Sequence, residues 1–321
     1  MQLEHIKEIQ SQALYRQVFK MMGSRFEICL VEENRKYLKE VCYFVIEEMS
    51  KVENLFTTFD ENSFTSRINK YAGISPVHVD KRVFELIESS IKYSQLSDGA
   101  FDITYSSFRK EFLNFDINMT FLPYMGDNTK RIEQGNYKNI ILDKEQQSVF
   151  LNKNGMRIGF GGIAKGYVAD YAASLFMELG FDKGIVNASG DIKVWGTPSL
   201  NCKWSIGIKD PNNKEKIILS LKLQDKAIAS SGNYEKFVMI GDDYYSHTID
   251  PKSGYPIKGL KSVTIVSQDA IFSDAIATSI NVLGIEAGIA LVKKFNDVDY
   301  FIIDNFNQFH YSSNISDILY S

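Results

Sequence analysis

The chain has 321 residues, 44% of them hydrophobic, and a formal net charge of −4. That apolar content can build one large core or two smaller ones. The charges are spread along the sequence, which excludes the basic stripe of a nucleic-acid binder.

Three cysteines, Cys29, Cys42 and Cys202, stand far apart. An odd number so spaced gives neither a disulfide framework nor a metal cluster. Cys29 and Cys42, among apolar neighbours, read as buried free thiols. The first residues, MQLEHIKEIQSQALYRQ, hold no apolar stretch of signal-peptide length, and no later run approaches a membrane span. A cytoplasmic protein is expected.

In chain order, Tyr15 to Val31 reads as two strand-like runs around Met21-Met22-Gly23-Ser24, with the glycine marking a bulge or close backbone approach. Leu38, Val41, Cys42, Val45, Ile46, Met49, Val52, Leu55 and Phe56 recur at steps of three and four, the pattern of an amphipathic helix. Phe64 to Tyr71 and Val83 to Leu96 predict two more helices. Ser97 to Thr104, SDGAFDIT, ends the second at a glycine C-cap and turns into an apolar run. Residues 114–135 have no clear period and read as an insertion or mobile loop.

From Tyr137 onward strands dominate. They are expected at Asn139 to Leu142, Val149 to Leu151, the run from Arg157, Gly184 to Trp195, Trp204 to Ile208, Ile217 to Leu223, Ala227 to Ser230, Phe237 to Ile240, Tyr244 to Ile249, Gly259 to Ser267 and Asp299 to Ile303. Helices are expected at Ala270 to Leu283 and Glu286 to Phe295. Many consecutive strands without intervening helices favour antiparallel pairing over a doubly wound dinucleotide fold. No linker interrupts the pattern, so residues 1–321 read as one α+β domain with two lobes.

Arg157 to Asp191 is the most informative stretch. Gly159, Gly161 and Gly162 precede a helix that Gly180 stops, and Lys165 lies in its first turn. Glycines let a bound group approach the backbone, first-turn N–H groups attract anions, and a lysine suits phosphate. A plain strand-to-helix turn explains the same residues, and G-x-G-x-x-A spacing with Asp191 allows a weak dinucleotide-loop reading.

On the later helix, Asp274 and Thr278 are one turn apart, a pair of hard oxygens suited to Mg²⁺. An Asp complementing the helix dipole, with Thr278 bonded back to a carbonyl, accounts for them without any metal. His247 precedes Thr248-Ile249-Asp250-Pro251 at a strand end, as a base, a phosphate donor or a structural histidine.

These pieces, in this order, resemble the ApbE family of FAD-dependent protein FMN transferases. The matching motifs are Met22-Gly23-Ser24, Ser63 to Asn69, Asp98 to Thr104, Gly161 to Tyr167 with Asp170, Asn187 to Asp191, Ser230 to Tyr234, His247 to Pro256, and Ser273-Asp274-Ala275 to Thr278. The resemblance implies a T-fold-like α+β domain with mixed or antiparallel sheets, flanking helices and an FAD cleft between two lobes. It implies a Mg²⁺-dependent enzyme that moves FMN from FAD to a Ser or Thr hydroxyl of a target protein, releasing AMP.

By the same resemblance Met22, Phe59, Ala100, Phe101, Asp102, Lys165 and Thr248 contact FAD. Gly162 (through its carbonyl), Asp274 and Thr278 hold the metal, and His247 or Asp274 is the catalytic base. The implied partner carries a Ser/Thr flavinylation motif, as subunits of membrane redox complexes do. Gly159 departs from the family by standing where an acidic residue commonly precedes the loop, Ser189 replaces a glycine, and Phe59 stands where Tyr is frequent. Alternatives with the same site are an FAD pyrophosphatase and a non-catalytic FAD-binding protein. A nicotinamide oxidoreductase rests on the glycine spacing alone.

Overall fold

A computed structural model describes residues 14–32, 35–107, 135–232, 237–240, 243–246 and 248–319. Strands β1 (Leu14–Met21) and β2 (Ser24–Val31) form a hairpin. Met22 (φ 49) and Gly23 (φ 68) both take positive φ, the two-residue turn whose twist matches paired strands. The expected bulge at Gly23 is therefore a hairpin turn. Met22 N–H also donates to Glu53 Oε1 at 2.8 Å, on helix α1 (Arg35–Phe56).

Helices α2 (Phe64–Lys70) and α3 (Lys81–Leu96) follow, each with a side-chain cap, Ser63 to Ser66 N–H and Asp80 to Arg82 N–H. Strand β3 (Val77–His78) pairs with a later hairpin, β4 (Ile140–Asp143) and β5 (Ser148–Leu151), in a small sheet.

Helix α4 (Ala164–Glu178) ends as expected at Gly180 (φ 87). Gly180 N–H bonds Met177 O and Phe181 N–H bonds Phe176 O, satisfying the last carbonyls. Strands β6 (Gly184–Ala188) and β7 (Asp191–Trp195) replace the single expected run 184–195. Ser189 (φ 59) and Gly190 (φ 110) turn the chain between them. A ribbon of β8 (Trp204–Asp210) and β9 (Asn213–Leu223) is followed by β10 (Lys226–Ser231), the pair β11 (Phe237–Ile240) and β12 (Asp243–Ser246), and β13 (Ser262–Ser267). Helix α5 (Ala270–Leu283) has the bounds its periodicity predicts. Gly284 (φ 78) separates it from α6 (Ile285–Val292), which stops short of the expected Phe295. Strands β14 (Asp299–Ile303) and β15 (Phe309–Tyr311) and a 3-10 turn at Ser313–Ile318 close the chain.

The main sheet has eight strands in the order β1-β2-β6-β7-β10-β13-β14-β15, and all its pairings are antiparallel. The fold is thus α+β with antiparallel sheets and flanking helices, as the sequence predicts. Alternate residues of β2 serve opposite faces. Phe26, Ile28 and Leu30 pack with α1 and α4, while Cys29 joins Ile185, Ile192 and Val194 beneath the β8–β9 ribbon. Both faces are therefore covered. Fully burying a side chain such as Ile28 contributes about 1.5–3 kcal/mol. On the β13–β14 side, Val263, Ile265 and Ile302 pack against Ile276 and Ile280 of α5 and Leu291 of α6.

One expected strand fails for a nonlocal reason. The run from Arg157 belongs to no strand, because its backbone groups are taken by side chains and by one turn carbonyl. Arg157 N–H donates to Ser107 Oγ (2.8 Å), Ile158 N–H to Asn69 Oδ1 (2.7 Å) and Gly159 N–H to Ile103 O (2.9 Å). Residues Ile103–Ser107 form a 3-10 turn, clipped by Asp102. The expected insertion at 114–135 lies outside the described residues except for Gly135. Among the described residues no helix is long and apolar enough to cross a membrane.

Candidate functional site

A cavity of about 270 Å³ opens where four segments meet. One is the loop Gly159–Gly162 with Lys165 at the start of α4; the second is Asp274 and Thr278 on α5. The third is Ala100–Ile103 with Tyr105, and the fourth is the rim formed by Ser230–Gly232 and by Thr248, Ile249 and Pro251.

The glycine loop and the acidic helix are in direct contact. A Cβ built on Gly162 would stand 3.5 Å from Thr278 Oγ1, and one on Gly166 would stand 2.8 Å from Ile271 Cα. No side chain fits between the helices at Gly166, so their backbones approach closely. Each helix also supplies a carboxylate to the other's first turn. Asp170 of α4 accepts from Ala270 N–H and Ile271 N–H, both at 2.9 Å. Asp274 of α5 accepts from Gly166 N–H of α4.

Lys165 Nζ lies 3.2 Å from Asp191 Oδ2, at the start of β7, and Asp191 is only 2% exposed. The Gly190 N–H bond to Asn187 Oδ1 (2.8 Å) shapes the turn that presents Asp191. Burial, and secondarily the Asp191 carboxylate, push Asp274 well above the usual carboxylate range, while Lys165 and the Gly166 N–H pull it down. Among the described residues no donor meets the buried Asp274 Oδ2, and the Asp191 carboxylate faces the same side chain. Such an oxygen is costly to bury unless something positive or protic meets it.

Asp102 is different. Its Oδ1 accepts from Thr104 N–H (2.8 Å) and Thr104 Oγ1 (2.7 Å), and its Oδ2 from Tyr137 N–H (2.8 Å). Burial raises it to about 6, against the pull of those bonds. This carboxylate holds the wall of the cavity in shape. On the rim, Thr248 N–H donates to Ser246 Oγ (3.1 Å), and Lys252 Nζ reaches across to Asp98 Oδ2 (2.7 Å).

Of the residues named from sequence, Ala100, Phe101, Asp102, Gly162, Lys165, Thr248, Asp274 and Thr278 line this one cavity. Met22 sits in the β1–β2 turn and Phe59, 99% exposed, follows α1; neither lines the cavity. His247 lies outside the described residues. Of the site's further residues, Asp191 enters the sequence reading only with the weak dinucleotide-loop spacing and the Asn187 to Asp191 motif, and Tyr105 does not enter it. Asp191 carried a signal, an acidic residue straight after a Ser-Gly turn; Tyr105 carried none.

Among the described residues no group of three or more His, Cys, Asp or Glu is arranged to hold a metal ion. The hard-oxygen pair Asp274 and Thr278, with an orphaned Oδ2, still fits a divalent cation that completes its shell with ligand oxygens and water.

Residues 22–302 match the model of the ApbE family. The chain is 31% identical over 257 residues to an FAD:protein FMN transferase of Klebsiella pneumoniae, covering 79% of each chain. It is 27% identical over 270 residues to an FAD:protein FMN transferase of Treponema pallidum, covering 79% of this chain and 74% of that one. The crystal structure of the ApbE protein of Thermotoga maritima superimposes with a TM-score of 0.86 at 26% identity, over 96% of this chain and all of that one.

Proposed function

Because the chain belongs to the ApbE family, we propose that it is a flavin transferase that takes FAD into this cavity and passes FMN to a Ser or Thr hydroxyl of a target protein. The observation that carries the reading is the meeting of the glycine loop of α4 with Asp274 and Thr278 of α5 in one cavity, with Asp274 Oδ2 buried and met by no donor among the described residues. A diphosphate needs donors on one side and charge neutralisation on the other, and those two segments supply them.

In the proposed reaction the acceptor hydroxyl oxygen forms a bond to the FMN-side phosphorus of the FAD diphosphate. The bond from that phosphorus to the bridging oxygen breaks, AMP leaves, and the hydroxyl proton passes to a base, for which His247 and Asp274 are the candidates. Asp274 and Thr278, with the Gly162 carbonyl, would hold Mg²⁺, which when bound neutralises charge on the diphosphate. Lys165, anchored by Asp191, keeps positive charge beside the helix start, and Asp102 fixes the Ala100–Ile103 wall against which the ligand lies. Positioning supplies much of the rate in such a transfer.

Incubation with FAD, Mg²⁺ and a domain carrying a Ser/Thr flavinylation motif should yield a fluorescent protein band and a mass increase of one FMN. Release of FMN and AMP with no acceptor present would instead identify a hydrolase. Absence of both outcomes, beside a working transferase control, removes the proposal.

A further inference from the structure

Tyr105 puts its hydroxyl among the loop glycines. Gly161 N–H donates to it at 3.3 Å, and the Ser106 hydroxyl is hydrogen-bonded to it. A Cβ on Gly161 would stand 2.8 Å from this oxygen, and a Cβ on Gly159 would stand 3.2 Å from it while colliding with Ser106 Oγ. A side chain at 159 or 161 would therefore have to displace one of these two hydroxyls, before any ligand arrives.

The Gly161 amide is one of the donors the loop would offer an anion, and its hydrogen bond ends on the phenol oxygen. A tyrosine hydroxyl accepts and donates at once. Of the two protons on Tyr105 and Ser106, one closes their mutual bond and the other is available to a third group. Tyr105 lines the cavity with Lys165 and Thr278.

We propose that Tyr105 is a ligand-positioning residue whose hydroxyl, held by Gly161 N–H and Ser106, extends the loop's donor set into the cavity and hydrogen-bonds a phosphate oxygen of the bound flavin dinucleotide. The inference rests on the cavity taking FAD. Gly159 and Gly161 are then glycine to seat the tyrosine, and the tyrosine makes the contact that a bare loop amide would make.

The test compares wild type, Tyr105→Phe, Gly161→Ala and the double variant by FAD titration with Mg²⁺ present, followed by flavin fluorescence, and by steady-state transfer. Tyr105→Phe removes one atom and adds none. It should weaken FAD binding by about tenfold, the scale of a hydrogen bond to a charged group. KM for FAD should rise by the same factor while kcat stays within about twofold, the mark of binding lost equally from ground and transition states. Gly161→Ala pushes against the hydroxyl, so it should weaken FAD binding in wild type and add little in the Phe background. An unchanged FAD affinity in Tyr105→Phe, or losses from the two substitutions that simply add, overturns the proposal. Absence of saturable FAD binding by wild type would fail the reading of the cavity itself and is seen before any variant is measured.

Discussion

Asp170 and Asp274 occupy equivalent places in a reciprocal contact. Each sits on one of two touching helices, α4 and α5, and each accepts from the first-turn N–H groups of the other. Asp170 spends both oxygens on backbone donors, and Lys193 Nζ stands 3.8 Å away. Asp274 spends one and leaves Oδ2 buried on a cavity wall beside a second carboxylate, with no donor to it among the described residues. The difference teaches how to tell a cap from a site where the local chemistry is the same. A carboxylate whose acceptors are filled holds the fold together, and one with an acceptor left over is poised for something the chain does not itself contain.

Asp274→Asn gives the sharpest break in this symmetry. The amide oxygen still accepts from Gly166 N–H, but the charge is gone. Flavin transfer should fall by roughly a hundredfold or more, while the melting temperature of the ligand-free protein holds or rises because a buried charge beside Asp191 has been removed. A stability loss with activity retained would make Asp274 a second structural cap.

Asp170→Ala should show the opposite pattern. Two helix N–H groups lose their acceptor, which costs about 2 kcal/mol in a urea titration, and kcat of the folded fraction should stay near wild type.

The pH dependence sharpens the comparison further. Burial, as the largest cause, pushes Asp170 up to about 6. Between the unfolded value near 4 and that value the folded chain binds the proton more tightly. Its contribution to stability is therefore present at low pH and declines as pH rises through about 6. Melting temperatures of wild type should drop relative to Asp170→Asn between pH 4.5 and 6.5; a gap moving the other way would contradict the shift. The smallest effect is expected at Phe59, which stands 99% exposed outside the cavity. Phe59→Ala should leave FAD affinity unchanged in the same fluorescence titration.

What could be read from sequence follows from what is local. Helix α5 runs from Ala270 to Leu283 as its periodicity predicts, since a stripe facing Val263 and Ile265 is written at steps of three and four. The glycine loop and the Asp274–Thr278 pair were each visible, and they line one cavity. The run from Arg157 misleads because the partners that satisfy it, Asn69, Ile103 and Ser107, lie between 50 and 89 positions away in sequence, and no alternation records them. Tyr105, and the pairing of Asp191 with Lys165, go unread in the sequence for the same reason. A tyrosine in a 3-10 turn and an acid at a strand start gain meaning only when Gly161 and Lys165 come to rest against them.

Gly166 has a consequence for how this enzyme can vary. With the Ala270 carbonyl and Ile271 Cα pressed against the place a methyl would take, the gauge between α4 and α5 is set by main chain alone. Lys165 and Asp274 ride on those two rails and keep their separation whatever is done to the rim. Tolerance for differently shaped ligands or acceptors must therefore be tuned at Ser230–Gly232 and Thr248–Pro251, which can be remodelled while the track beneath them stays fixed.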